Sequence, residues 1–357
     1  MLIPATISFI ISALLFSGFG GIAPDMFLSS YDNQQDGIVL GVSEENIIDS
    51  KEIDSIDKKT GLENVVAKMV DETQKLSLIN LPQLPQLEQP IKRLPISETK
   101  SGKIIVNDIE MDADNVSAMD CQSGDMFFTK RIDQPRSIAS ITKLATALVF
   151  LDYNPGWDEI YEMREYDRRE GGVIHLFTGE KVKVKDLFYT SLVGSGNTAT
   201  VALVHSTGMS EQEFVNKMNE KVKEIGLKNT RFVEVSGLHS GNVSTAREVA
   251  KLADIAFSND ELATACSTGK YDYQTKGGRN KTVYSTNYLL SSKDLKTQHI
   301  TVLGGKTGHI DAAGYCLVSK FKNTKGGEII TVVLGTGNNG ARFAETEKLI
   351  TTIYERL

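Results

Sequence analysis

The sequence predicts an α+β domain with a helical insertion. Two short strand-like runs open its regular part, a helix-rich stretch follows, and strand patterning returns before a last helix. Regular structure begins near Lys103. Residues 116–121 and 126–130 read as strands, and Gln122-Ser123-Gly124-Asp125 between them has the composition of a hairpin turn. Ile141, Leu144, Ala145, Leu148 and Val149 then follow the i, i+3, i+4, i+7, i+8 spacing of a helix with one apolar stripe. Residues 158–257 read as mostly helical. Strands return at 300–303, 315–322 and 329–334, the last two joined through Asn323-Thr324-Lys325-Gly326-Gly327. The chain closes on a helix whose apolar face is Leu349, Ile350, Ile353, Tyr354 and Leu357. No internal repeat is visible.

The 357 residues are 40% hydrophobic, enough for one large core or two modest ones. A formal charge of −7 argues against a nucleic-acid partner, which calls for a broad basic face. The excess is local: residues 25–80 hold twelve acids against five lysines, so the remainder is close to neutral. Cys121, Cys266 and Cys316 are too few and too scattered for a disulfide framework or a metal knuckle, and Cys316, in the run Gly314-Tyr315-Cys316-Leu317-Val318, reads as a buried small side chain.

Residues 1–24 carry no charged side chain and read as a signal peptide or membrane anchor. The chain beyond Pro24 turns acidic, with no Lys or Arg before Lys51, which fits export. Residues 25–97 read as a tether. Four of the eight prolines fall between Pro82 and Pro95, a spacing that favours an extended spacer, and 62–76 has the pattern of a short amphipathic helix. Residues 98–357 are the folded domain. These readings place it outside the cytoplasm, secreted or held to the membrane by its N-terminal segment.

Three short motifs carry the chemistry. Ser140-Ile141-Thr142-Lys143 opens the first helix, and a spacing of three puts the hydroxyl and the amine on one helix face. A serine needs an adjacent base, and Lys143 can be that base only if burial or a second cation lowers its pKa. Ser195-Gly196-Asn197 lies between two helical stretches; Ser195 could relay a proton to a leaving amine, and the Asn197 amide could hold a substrate carbonyl and Lys143. Lys306-Thr307-Gly308, after a strand and before His309, offers a cation and a hydroxyl to the terminal carboxylate of a peptide added alongside. Gly308 leaves room for that approach, and Lys306 supplies the second cation near Lys143. Alone, each motif also reads as a helix cap, a loop or a strand end. Together, in this order and separated by 55 and 111 residues, they match a trio found in β-lactamases and penicillin-binding proteins.

At these residues the sequence resembles the low-molecular-mass penicillin-binding proteins, the D-alanyl-D-alanine carboxypeptidase/endopeptidase family of serine peptidases. The resemblance runs from about Val116 to the C-terminus. It includes Asn229-Thr230-Arg231-Phe232, Val243-Ser244-Thr245-Ala246-Arg247 and Ser285-Thr286-Asn287. It implies a β-lactamase/DD-peptidase-like fold: a five-stranded antiparallel sheet flanked by helices, with a helical lobe and the site in the cleft between. It makes 98–357 the catalytic domain. It further implies acylation of Ser140 by peptidoglycan stem peptides and by β-lactams, an oxyanion hole formed by the backbone N–H groups of Ser140 and His309, and neither metal nor cofactor. The family's C-terminal β-rich domain and membrane helix have no counterpart after residues 349–357, so any anchoring falls to the N-terminus. The short C-terminus and the Asn229–Phe232 and Val243–Arg247 stretches lie closer to the endopeptidase branch.

Rival readings fit less well. A class A β-lactamase requires a Glu with an Asn four places on between the second and third motifs, and no Glu between Asn197 and Lys306 has one. A zinc carboxypeptidase requires clustered ligands, whereas His175, His205, His239, His299 and His309 are at least ten residues apart. Val193 and Asn197 stand where a G-x-S-x-G hydrolase around Ser195 has glycines. A catalytically inactive wall-binding module would be expected to lack Ser140 or Lys143.

Overall fold

The computed structural model describes residues 109–357, together with a backbone strand pair at Ile38–Val39 and Ile47–Ile48. The chain divides into two units, Met1–Lys92 and Arg93–Leu357. The 1–24 segment, the rest of the 25–97 tether and its 62–76 helix lie outside the described residues. Among those described, no helix is long and apolar enough to cross a membrane.

The second unit is built on a five-stranded antiparallel sheet. Its strands are β1 (Asn115–Asp120), β2 (Met126–Lys130), β9 (Thr301–Ile310), β10 (Gly314–Lys322) and β11 (Glu328–Thr336), in the order β9-β10-β11-β1-β2. Side chains alternate across this sheet, as the pleat requires. Leu317, Val333, Phe321 and Ile329 face one side, where they pack with Leu349, Ile350 and Ile353 of the closing helix α8 (Asn339–Arg356). Val318, Val332 and Ile330 face the other side and join the larger core of the helical part. The site strand β9 is an edge strand.

Between the two ends of the sheet sequence lie helices α1 (Thr142–Asp152), α2 (Val184–Val193), α3 (Asn197–Ser206), α4 (Glu211–Glu224), α5 (Ala246–Phe257) and α6 (Asp260–Ser267), with the short α7 (Lys293–Thr297) before β9. Side-chain caps start several of them: Ser210 accepts from Glu213 N, Thr245 from Glu248 N and Asn338 from Ala341 N.

Three sequence expectations are corrected, and one hairpin was unforeseen. The stretch 158–257 also contains strands: β4 (Ile160–Glu162) pairs with β5 (Lys181–Lys183), and β3 (Arg136–Ser137) pairs with β6 (Val243–Ser244). A hairpin of β7 (Lys270–Gln274) and β8 (Asn280–Tyr284) was not anticipated, although Tyr271, Tyr273 and Val283 alternate with exposed polar residues and face the core. Helix α1 has no single apolar stripe. It is buried nearly all round, because its polar side chains find partners inside: Thr146 Oγ1 donates to Val235 O at 2.6 Å, and Asn242 Nδ2 donates to Thr142 Oγ1 at 3.1 Å. Strand β9 continues to Ile310, so Lys306, Thr307 and Gly308 lie within it rather than after it.

A buried carboxylate holds the lobe's loops. Glu248 in α5 accepts from Lys228 N (2.9 Å), Asn229 N (2.9 Å) and Thr230 Oγ1 (2.7 Å), while Asn219 binds the Phe232 backbone from α4. This explains the Asn229-Thr230-Arg231-Phe232 stretch as a tied loop that leads into the site. Glu248→Ala strips several buried donors at once, which should cost about 2–3 kcal/mol. Thermal unfolding should show a midpoint lower by roughly 4–10 °C; an unchanged midpoint would mean that water replaces the carboxylate.

Candidate active site

Ser140 sits in a 3-10 turn, Ala139–Ile141, directly before α1. Ala139 has φ +46°, a left-handed conformation that costs a residue with a Cβ. The neighbours that hold it are close. A Cβ on Gly237, itself at φ +91°, would stand 2.1 Å from Ala139 O, and one on Gly308 would stand 3.0 Å from Ser140 N. Ile138 N donates to Asn242 O at 3.1 Å. The turn is thus pressed between the 236–242 segment and strand β9.

Lys143 is the second residue of α1 and is fully buried. Its Nζ is 2.9 Å from Ser140 Oγ, 2.8 Å from Asn197 Oδ1 and 2.5 Å from Ser236 O. Burial, first, and the Lys306 charge, second, push its pKa well below the usual lysine value, with Glu234 opposing. A neutral amine fits these partners. Its two hydrogens go to Asn197 Oδ1 and Ser236 O, which can only accept, and its lone pair faces the serine hydroxyl.

Ser195 lies between α2 and α3 at φ +56°. Lys306 Nζ donates to Ser195 Oγ at 2.7 Å and to Thr307 O at 2.9 Å. Lys306 is 1% exposed, and burial lowers its pKa to about 7, with Cys266 opposing and Arg342 assisting. The next residue, Thr307, has its Oγ1 2.6 Å from Thr286 Oγ1. Arg342 from α8 donates to Gly308 O at 3.0 Å and Cys316 O at 3.3 Å, which locks β9 to β10 beside His309. The exposed His309 ring stacks on Tyr315, centroids 3.9 Å apart.

The structure therefore gathers Ser140, Lys143 and Asn197 into one hydrogen-bonded group and Ser195, Lys306 and Thr307 into a second beside it. The Asn197 amide nitrogen, expected to hold a substrate carbonyl, donates to Gly171 O at 2.9 Å. Sequence reading assigned no role to Ser236, Glu234, Gly237 or Gly171, and it reached Thr286 only as part of the Ser285-Thr286-Asn287 stretch. Ser236 acts through a backbone carbonyl, which no side-chain motif reports. Glu234 holds it in place by accepting from Ser236 N and Oγ, both at 2.7 Å, and from Asn242 Nδ2 at 2.8 Å. Hydroxyls, amines and an amide suit proton transfer and anion recognition, and are poor metal ligands.

Comparison with known proteins bears on the fold and the reaction class. Residues 102–338 match the family model described as D-alanyl-D-alanine carboxypeptidase. The chain is 32% identical over 249 residues to a D-alanyl-D-alanine endopeptidase of Escherichia coli, covering 68% of this chain and 78% of the relative. It is 33% identical over 252 residues to a D-alanyl-D-alanine carboxypeptidase of a Streptomyces species, covering 65% and 84%. Among solved structures, a Streptomyces DD-transpeptidase superposes with a TM-score of 0.60 at 30% identity, covering 69% of this chain and 98% of that one. A D-alanyl-D-alanine carboxypeptidase from Francisella tularensis gives 0.62 at 29%, covering 70% and 72%.

The two amines can be followed directly in full-length protein carrying ¹³C-labelled lysine. Lys306→Met keeps the bulk and removes the charge, so the Lys143 resonance should titrate at higher pH in that variant. An unmoved Lys143 titration would assign its depression to burial alone.

Proposed function

The chain belongs to the D-alanyl-D-alanine carboxypeptidase family of serine peptidases, and on that premise we propose that Ser140 is the acylated nucleophile and Lys143 its general base. The enzyme is a serine-type DD-peptidase. Its substrates in this reading are peptidoglycan stem peptides, and β-lactams acylate the same serine. The observation that carries the assignment is the 2.9 Å contact between Ser140 Oγ and a fully buried Lys143 amine.

Lys143 takes the Ser140 proton as Oγ attacks the carbonyl carbon of the penultimate D-Ala. The oxyanion receives the backbone N–H groups of Ser140 and His309, preorganised donors of the kind that supply much of such a rate. Ser195 passes a proton to the leaving amine, with Lys306 bonded behind it. Lys306 and Thr307 take the terminal carboxylate, and Asn197 positions Lys143. Water then releases the acyl group and restores Ser140.

Several relatives are named endopeptidases, including one at 32% identity, which favours cross-link cleavage as a second reading. The two differ only in the leaving amine, a free D-Ala or the side-chain amine of a second stem. An inactive wall-binding role is disfavoured by the intact Ser140–Lys143 contact. The cell wall places the enzyme outside the cytoplasm, with residues 1–24 exporting or anchoring it and 25–97 giving reach. Deleting 25–97 from the anchored protein should then reduce activity on intact sacculi but not on soluble peptides; equal sacculus activity would remove that role for the tether.

Full-length protein incubated with benzylpenicillin should gain one covalent adduct by intact-mass spectrometry, absent from Ser140→Ala. No adduct on folded wild type would overturn the assignment. The acylation rate should be bell-shaped in pH, rising as Lys143 loses its proton and falling near pH 7 as Lys306 does. Lys306→Arg, which stays charged, should move the falling limb upward.

A further inference from the structure

Thr286 lies in Ser285-Thr286-Asn287, between β8 and the 3-10 turn Tyr288–Ser291. It is held from both walls of the cleft. Its backbone N–H donates to Val193 O at 3.1 Å, at the end of α2 and two residues before Ser195. Its hydroxyl is 2.6 Å from that of Thr307. Neither hydroxyl has another hydrogen-bond partner among the described residues, and Thr307 is 4% exposed.

Two hydroxyls at this distance share one hydrogen, and either can donate. A carboxylate arriving at Thr307 settles the direction. It can only accept, so Thr307 turns its hydrogen outward, and Thr286 must then donate to Thr307 Oγ1. Such a chain polarises each bond along it. The Ser195 side is built alike: Lys306 donates to Ser195 Oγ, which leaves the serine hydrogen to point away from the amine. The carboxylate seat thus consists of two hydroxyls, each backed by a donor.

We propose that Thr286 is a positioning residue for the substrate's terminal carboxylate, acting through Thr307, whose hydroxyl it orients. The inference deepens the proposed function and rests on it. It requires a free carboxylate on the leaving residue and gives Thr286 no contact with the reacting atoms.

The test compares kcat and KM of the full-length enzyme on one D-Ala-D-Ala peptide as its free acid and as its C-terminal amide. Thr286→Val should lower kcat/KM for the acid roughly tenfold, mostly through KM, and change the amide less than about twofold. Thr286→Ser should restore the acid to within about twofold of wild type. In a Thr307→Val background, adding Thr286→Val should change nothing further. Equal losses on acid and amide, or full additivity with Thr307→Val, would overturn the proposal. Thr286→Ala allows the same comparisons if valine prevents folding. Wild-type enzyme inert towards both peptides and penicillin would instead refute the reading of Ser140.

Discussion

Two amines share one buried cleft, and the rest of the site depends on how they tolerate it. Taking one ammonium out of water is costly, and taking out two side by side adds their repulsion. The fold reduces that cost by making the charges optional: both pKa values fall, Lys306 to about 7 and Lys143 well below its usual value. A lysine whose pKa is held well below its usual value is more readily neutral and can accept a proton from a serine. The expense of burial thus leaves a free amine where the hydroxyl is. This also accounts for the packing of α1. A helix with one wet face would leave Lys143 solvated and protonated; α1 is instead enclosed, with its threonines bonded to the 234–242 segment.

The positions of these amines are fixed by backbone as much as by side chains. Ala139 and Ser195 both adopt left-handed φ values, one beside a motif serine and one at a motif serine itself, and both are held by dense surroundings. Gly237 and Gly308 let two segments close on the Ser140 turn. Arg342 reaches from α8 to the Gly308 carbonyl, so the helix packed on the far face of the sheet steadies the strand that forms the cleft wall.

Most of the sheet was legible because polar turns bound its apolar runs. Strands β1, β2, β10 and β11 lie within a residue or two of their expected bounds, although β1, β10 and β11 are buried on both faces. Legibility failed where packing overrides pattern. The stripe read on α1 was only part of a wholly buried surface, and the glycines of Gly304-Gly305 and Gly308 hid the length of β9. In the site, Ser140, Lys143, Ser195, Asn197, Lys306 and Thr307 were readable because their side chains do the work at fixed spacing. Ser236 and Gly171 act through carbonyl oxygens, which every residue has. Thr286 depends on a partner 21 positions away, a pairing that only the folded chain reveals.

The Asn197 amide is occupied at both ends, by Lys143 at its oxygen and by Gly171 O at its nitrogen. That nitrogen carries two hydrogens: Gly171 O takes one at 2.9 Å, while Glu170 O stands 3.5 Å away. A peptide carbonyl therefore meets an amide whose plane is already clamped and one of whose hydrogens is only weakly held. The bond it gains does not have to order the side chain first, so the clamp lowers the entropic cost of seating the peptide.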